Sequence, residues 1–598
     1  MFILGPLGGV AASYMNFSLG FFIGGQVLAG ILGSTVTYFY GPEGKHGANY
    51  MQTAAASVAG MSAMGVLIQA MVWLGLPEPE TWKLILYFLC VGMFGVGVGM
   101  VYTPLLVDRM QLTYPSGLAV ANILRALTDP KLLKQSVGKL FGGMGLGAGL
   151  SVLLEKGAAL PGIAWLAASG ISVANVGAAM IVGARITVPA AVYALVLDQL
   201  APWFRAQGWL GEHDPVRKFA FLVALGTILG AAIVDISLIL KQAVARLRAL
   251  APEVPEPTVA GEEWKRTNTS RLVAYVAFWG VCVILVSTMV LQVPLPWVLF
   301  GVAFSFVMML VNGISYGITD SNPISTAFVL TVVSMAAMGL VDPIHGLLAG
   351  SIVFVVCAIG SDMQQDRSTG WRLGTNRTIQ FRYQVIGVVV GAVLAVFMSK
   401  IFMEAYPVLK VDIHANPEAK IDQWQSAMTY KFVGALRGIT QPKSFQIPAI
   451  LVGVGIGLVI EVIRKLVKGD ARYQAWKQTP KGNAFDVAFD CALMPSPYAS
   501  SFAGFVELKT SLWWGAGGVI SSVWNTLNER RAKHAKVEGA EALPEDMSTT
   551  SLIGGGLIAG DSLAALVLGI VGLVKSGALV KVLGGASVPP SPPPPPTP

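Results

Sequence analysis

The chain has 598 residues, 54% hydrophobic and only 12% charged, with a mean hydropathy of +0.64. A soluble domain carries about 25% charged residues, so this chain has too little polar surface to clothe several soluble domains, and its apolar content excludes disorder over most of its length. The formal net charge is +8, but the bases sit between apolar runs, as in a multispan membrane protein and not a nucleic-acid binder.

A helix needs about 20 largely apolar residues to cross a bilayer. In chain order such runs lie near 2–18, 20–40, 50–75, 83–106, 138–155, 160–184, 186–203 and 219–241. A second set lies near 271–291, 296–316, 323–341, 344–361, 383–404, 447–463, 484–525 and 552–577. The pattern predicts an all-α polytopic membrane protein of roughly 16 transmembrane helices, in two pseudo-repeated halves with broken or re-entrant segments. The 484–525 run is too long for one straight span and reads as a broken segment followed by a full helix. The 160–203 run reads as short or broken pieces around Arg185 and Pro189. The apolar run starts at Met1 with no basic segment before it, so no cleavable signal peptide is expected. Cys90, Cys282, Cys357 and Cys491 form no CxxC pair and no disulfide framework.

Lys and Arg in the connections set the expected orientation. Arg109, Arg125, Lys131, Lys134 and Lys139 follow the fourth span, and Arg246, Arg248, Lys265 and Arg266 the eighth. Arg367, Arg372, Arg377 and Arg382 follow the twelfth, and Arg464, Lys465, Lys468, Arg472, Lys477 and Lys481 the fourteenth. All of these follow even-numbered spans, which places them and both termini in the cytoplasm. Arg530 and Arg531 fall outside on this count, offset by Glu538, Glu541, Glu545 and Asp546. The expected organisation is an N-terminal transmembrane half over 1–248, a cytoplasmic linker over 249–270, a C-terminal half over 271–584 and a proline-rich tail over 585–598.

An internal repeat supports the two halves. Asn49-Tyr-Met-Gln-Thr-Ala opens the third span and Asn322-Pro-Ile-Ser-Thr-Ala the eleventh. After a one-residue gap, 57–65 (SVAGMSAMG) aligns with 331–339 (TVVSMAAMG). Eight spans separate the two, so the duplication would be parallel; chance similarity between two small-residue helices is the alternative.

An ionisable side chain at mid-membrane costs about 2.5–3.5 kcal/mol on insertion scales, so each needs a partner, a cavity or a task. Glu461 lies one turn before Arg464 and Lys465 and reads as a local ion pair. Arg185 suits a substrate carboxylate or a structural carboxylate on another helix. Asp235, within the eighth span, and Asp561, in the last, are candidates for coupling, as is Glu507 in 484–525. The segment 312–326 is the densest polar cluster: Pro323 reads as a helix start capped by Asn322 or Ser321, with Gly313 and Gly317 permitting irregular backbone. In 361–374, Asp362 and Asp366 share one helix face, Gln365 adds an amide, and Gly370 suits a helix stop. These acids could accept protons or pair with an arginine such as Arg382. No HExxH, Walker A or GxSxG pattern occurs, and the histidines have no metal-ligand spacing. The chain therefore reads as no enzyme, without cofactor or metal.

These stretches carry a resemblance to the oligopeptide transporter (OPT) family, which includes the yellow-stripe-like metal–chelate transporters. Tyr114-Pro-Ser-Gly-Leu-Ala-Val-Ala-Asn-Ile-Leu-Arg125 resembles the family's PSG segment. Asn322-Pro-Ile-Ser-Thr is the second match, and Asp362-x-x-Gln365-Asp366-x-x-Thr369-Gly370-x-x-Leu373-Gly374 the third and most specific. Gly556-Leu-Ile-Ala-Gly-Asp-Ser-Leu563 resembles the closing segment, with Asp561 in place of the usual Glu. Ser368 stands where the family has Lys, and neither the leading hydrophilic stretch nor a KIPPR-like segment of the eukaryotic peptide branch is seen.

The resemblance implies a proton-coupled symporter of the cell membrane that imports small peptides or metal–chelate complexes; a channel or structural membrane protein is the alternative. Its expected partners are substrate, protons and the bilayer, with a homodimer left open. Substrate would bind between the halves, lined by Asn49, Gln52, Asn322 and Ser325, with Arg185 on a carboxylate and Asp235, Glu507 and Asp561 as protonatable groups.

Overall fold

The computed structural model describes residues 4–18, 30, 33–34, 36–128, 130–157, 165, 168–169, 171–212, 216, 219–220, 222–224, 226–231, 233–234, 237–238, 263–319, 322–412, 426–440, 445–505, 508–534 and 548–575. Asp235, Glu507, Ser321, most of the linker and the proline-rich tail lie outside the described residues.

Every regular element among the described residues is helical, which confirms the all-α polytopic class. Eight of these helices are long and apolar enough to cross a membrane: Gly44–Trp73, Thr81–Arg109, Ala184–Ala206, Glu263–Val290, Leu295–Ile318, Pro343–Leu373, Arg377–Glu404 and Ile447–Gly469. Shorter apolar helices, among them Gly138–Leu154, Val173–Val182 and Ile324–Ala337, stand beside them.

Burial separates the centre from the periphery. The apolar windows of Gly44–Trp73 and Pro343–Leu373 are 94% and 89% buried, against 22% for Glu263–Val290 and Ile447–Gly469. Without a hydrophobic drive between helices in lipid, close packing needs small residues. Pro343–Leu373 meets Thr81–Thr103 at two glycines, where a Cβ on Gly99 would stand 2.9 Å from Gly360 Cα. The last described helix, Thr549–Lys575, meets Pro130–Gly157 the same way: a Cβ on Gly143 would lie 2.6 Å from the Ile553 carbonyl oxygen.

The breaks have local causes. Gly183, at φ 78° and ψ 175°, parts Val173–Val182 from Ala184–Ala206; only glycine adopts that backbone readily. The break thus falls two residues before Arg185, while Pro189 lies inside the following helix. The 484–525 run divides into Pro480–Ala488, a wide turn over Phe489–Leu493, Pro497–Phe505 and the full helix Leu508–His534.

Two expected boundaries move. Pro343–Leu373 starts where Asp342 accepts from Ile344 N at 2.9 Å with Pro343 in the first turn. It runs through Gly370 and stops at Gly374, which is left-handed at φ 73°; Gly370 serves close packing instead. Ile324–Ala337 has Pro323 itself at the cap position and no side-chain cap, because Asn322 turns its amide elsewhere. The two repeat-like segments also differ in length. The first continues from Gly44–Met61 through Ser62–Met64 into Gly65–Trp73, whereas the second ends at Ala337, before Gly339 at φ 99°. Each is followed by a long helix, and those two helices are the pair that meet at Gly99 and Gly360.

Candidate functional site

A polar cluster lies in the buried centre, on Gly44–Met61, Pro343–Leu373 and Arg377–Ala405. Asn49, Gln52 and Thr53 face it from the first helix, all fully buried. Gln52 Nε2 donates to Asp366 Oδ1 at 2.5 Å. Gln380 Nε2 donates to Thr53 Oγ1 at 3.0 Å and to the Asp366 carbonyl at 2.8 Å, tying the three helices together. Arg367 is fully buried, and its Nη1 donates to the Arg377 carbonyl at 2.6 Å and to Gln380 Oε1 at 3.0 Å. Gly370 opens the space where Asn49 and Gln380 converge: a Cβ there would stand 2.8 Å from Gln380 Oε1 and 3.3 Å from Asn49 Nδ2. One turn from Asp366, buried Asp362 sets its carboxyl over Gly60, where a Cβ would lie 2.6 Å from Oδ2.

The opposite side of the motif helix is held by other elements. Gln364 donates to the Gly99 carbonyl, and Thr369 Oγ1 to the Gly117 carbonyl at 2.9 Å. Tyr316 OH donates to Gln365 Oε1 at 2.9 Å. Gln111 and Tyr114 both hold positive φ, at 48° and 44°, a conformation costing of order 1–3 kcal/mol that persists where surroundings over-determine it. Here Tyr114 N donates to the Gly317 carbonyl at 2.8 Å and its OH to the Gly313 carbonyl at 3.0 Å. The bend delivers Gly117 to the motif helix at the start of Pro115–Thr128. At the end of the motif helix Arg377 forms a two-pronged pair with Asp108, and Lys265 Nζ lies 5.1 Å from the Trp264 ring and 5.9 Å from Trp371.

Hydrogen-bonding capacity is left over in this cluster. Both side-chain polar atoms of Asn49 and of Gln384, together with Gln52 Oε1, Asp366 Oδ2 and Arg367 Nε and Nη2, are buried without a protein partner. Most buried polar atoms of folded proteins are partnered, and an unmet one costs about 1–3 kcal/mol.

The sequence-predicted residues divide accordingly. Asn49, Gln52, Asp366 and Gly370 come together in the cluster, with Asp362 and Gln365 on the same helix. Asn322 touches that helix five residues before Asp362: it accepts from Asn312 Nδ2 at 3.1 Å and donates to the Cys357 carbonyl at 3.4 Å. Ser325 is half-buried in the first turn of Ile324–Ala337 and takes no hydrogen bond of the cluster. Arg185 stands in a separate charge network. Its Nη1 donates to Asp486 and, at 3.0 Å, to Asp490 Oδ2, and its Nη2 to Asn483 Oδ1 at 3.2 Å. Of the two readings of Arg185, the structural ion pair with another helix is the one formed. Glu461 has the expected local partners, Arg464 at 3.8 Å and Lys465 at 3.3 Å. Asp561 accepts from Ser151 Oγ and from the Ala174 backbone, between Pro130–Gly157 and Val173–Val182.

Hydropathy and motifs do not single out Thr53, Gln380 or Gln384. Two glutamines one turn apart at the head of the apolar Arg377–Ala405 helix are the available signal. Arg367 reads from the sequence as a loop base, but the helix that carries it remains buried past that point.

Comparison with known proteins agrees with the motifs. The family model described as OPT oligopeptide transporter protein matches residues 2–156 and 267–571. The interval between, which carries Arg185 and Asp235, is unmatched. No curated protein shows a significant match. With most of the chain matched and the motif helix at its buried centre, this protein is a multi-pass membrane protein that belongs to the OPT oligopeptide transporter family.

Proposed function

We propose that the chain is a proton-coupled symporter of the cell membrane that imports small oligopeptides or metal–chelate complexes. The observation that carries this reading is the unmet hydrogen-bonding capacity of Asn49, Gln52, Asp366 and Gln384 at the buried centre. Polar groups at membrane depth are expensive and gather where a substrate or ion passes. Carboxamides offer both donors and acceptors, which suits a ligand bearing amide or carboxylate groups. Asn49 and Gln52 are the proposed substrate contacts, with Asn322 and Ser325 at the neighbouring helix start. Asp362 and Asp366, one turn apart, join Asp561 as proposed carriers of the coupling proton, with Asp235 and Glu507 alongside from the sequence alone. Arg185 is assigned to a structural role.

The test is uptake by reconstituted protein of labelled di- to hexapeptides set against ferric and nickel chelates, with the proton gradient intact or collapsed. Concentrative, saturable uptake that disappears with the gradient is expected. Uptake unchanged after collapse would overturn proton coupling, and flux without saturation would favour a channel.

A further inference from the structure

The Ile447–Gly469 helix is followed at once by two short helices, Ala471–Lys477 and Pro480–Ala488, folded back on each other. Asp470 is the only residue between the span and this elbow, and it caps the next helix by accepting from Arg472 N at 2.6 Å. The turn between the short helices is held by Thr479, which donates to the Trp476 carbonyl at 2.7 Å and accepts from Gly482 N at 3.1 Å. The long helix before it is largely uncovered by protein, with Leu466 70% exposed one turn from its end. An apolar face open to that extent belongs against lipid, so the elbow emerges where that helix leaves the bilayer.

Charge is sorted across the elbow. Asp486 and Asp490 point inward, where Arg185, Arg464, Lys468 and Lys477 surround them. Glu461 is paired with Arg464 and Lys465, and Asp470 is the cap. Among the described residues, these carboxylates are thus engaged within the protein. Arg472 and Lys481 are exposed and without an acidic partner among the described residues. Four residues on from each in the same short helix come the exposed rings Trp476 and Phe485, with centroids 5.3 Å apart. Exposed rings beside unpaired bases at the end of a span match the headgroup layer, where aromatic side chains settle and bases meet anionic lipid.

The geometry points to the elbow as a docking surface for the headgroups of anionic phospholipids, with Arg472 and Lys481 as the charge contacts and Trp476 and Phe485 as the interfacial anchor. The test is lipid retention by the full-length protein in detergent, read by native mass spectrometry after exposure to phosphatidylglycerol or phosphatidylcholine. Wild-type protein is expected to retain phosphatidylglycerol preferentially. R472Q/K481Q should weaken that retention by about twenty-five-fold, roughly fivefold for each base removed, with phosphatidylcholine retention unchanged. W476A/F485A should lower retention of both lipids. Equal retention of the two lipids by wild-type protein, or undiminished phosphatidylglycerol on R472Q/K481Q, would overturn the assignment. Displacement of the lipid by inorganic phosphate at matched ionic strength would also overturn it, by marking a simple anion site. Both bases are exposed, so the variant should unfold at the wild-type temperature in phosphatidylcholine. If it does not, the lipid preference and phosphate competition of the wild-type protein alone decide.

Discussion

Gln52 Nε2 donates to Asp366 Oδ1 at 2.5 Å across the two most buried of the eight membrane-length helices among the described residues. Asp366 Oδ2 has no protein partner, so the carboxyl is oriented by one bond and open on its other oxygen. Removing the amide leaves a buried carboxyl with neither oxygen engaged by a side chain. Gln52→Ala should destabilise the protein by about 1–3 kcal/mol, read as a lower unfolding temperature in detergent. Gln52→Glu, which loses the donor but keeps the volume, should be at least as damaging.

Asp366→Asn keeps the shape of the side chain and removes its titration. If Asp366 carries the coupling proton, reconstituted variant protein should exchange substrate across the membrane but no longer concentrate it. Wild-type accumulation ratios in this variant would remove Asp366 from the coupling set. Asp561→Asn is the parallel test, since an amide oxygen can still accept from Ser151 Oγ; its stability should stay within about 1 kcal/mol of wild type.

Arg185 joins the helix after Gly183 to Asp486 of the elbow and to Asp490 of the wide turn that follows it. The Asp486 side chain is fully buried while Arg185 is 38% exposed. Loss of a fully buried pair costs about 3–5 kcal/mol, and solvent at the arginine end reduces this. Arg185→Gln should therefore destabilise by roughly 2 kcal/mol, with Asp486→Asn/Arg185→Gln recovering part of the loss. A substrate-binding Arg185 would instead raise KM for carboxylate-bearing substrates at unchanged stability.

Gly99 and Gly117 seat the motif helix against its neighbours. A Cβ on Gly117 would stand 2.8 Å from the Gln365 carbonyl oxygen, and one on Gly99 2.9 Å from Gly360 Cα. Backbone lies on the far side of both contacts, so relief requires helices to move. Gly99→Val and Gly117→Val should each destabilise by about 1–3 kcal/mol, seen as loss of a monodisperse peak on size exclusion. The same change at Gly145, where a Cβ would meet no atom within 4 Å, should leave the peak intact.

Much of what depends on near neighbours in the chain is legible in the sequence, although the exact helix ends at Gly374 and Pro323 are not. Hydropathy over about 20 residues marks a span, and the sparse charges among 598 residues set the class. The spacing of Asp362 and Asp366 places them on one face, and the crowding around Arg185 points to the break at Gly183. The motifs in chain order carry the family. The pairings come only from the packed bundle. Gln52 meets Asp366 from 314 positions away, and Arg185 meets Asp486 from 301. Such partners are chosen by which helix faces pack, through contacts like Gly99 on Gly360, and no local pattern of polarity encodes that. Burial is likewise a property of the assembled bundle, which is why Arg367 and Gln380, legible as bases and amides of a helix end, become the centre of the cluster only when three helices close around them.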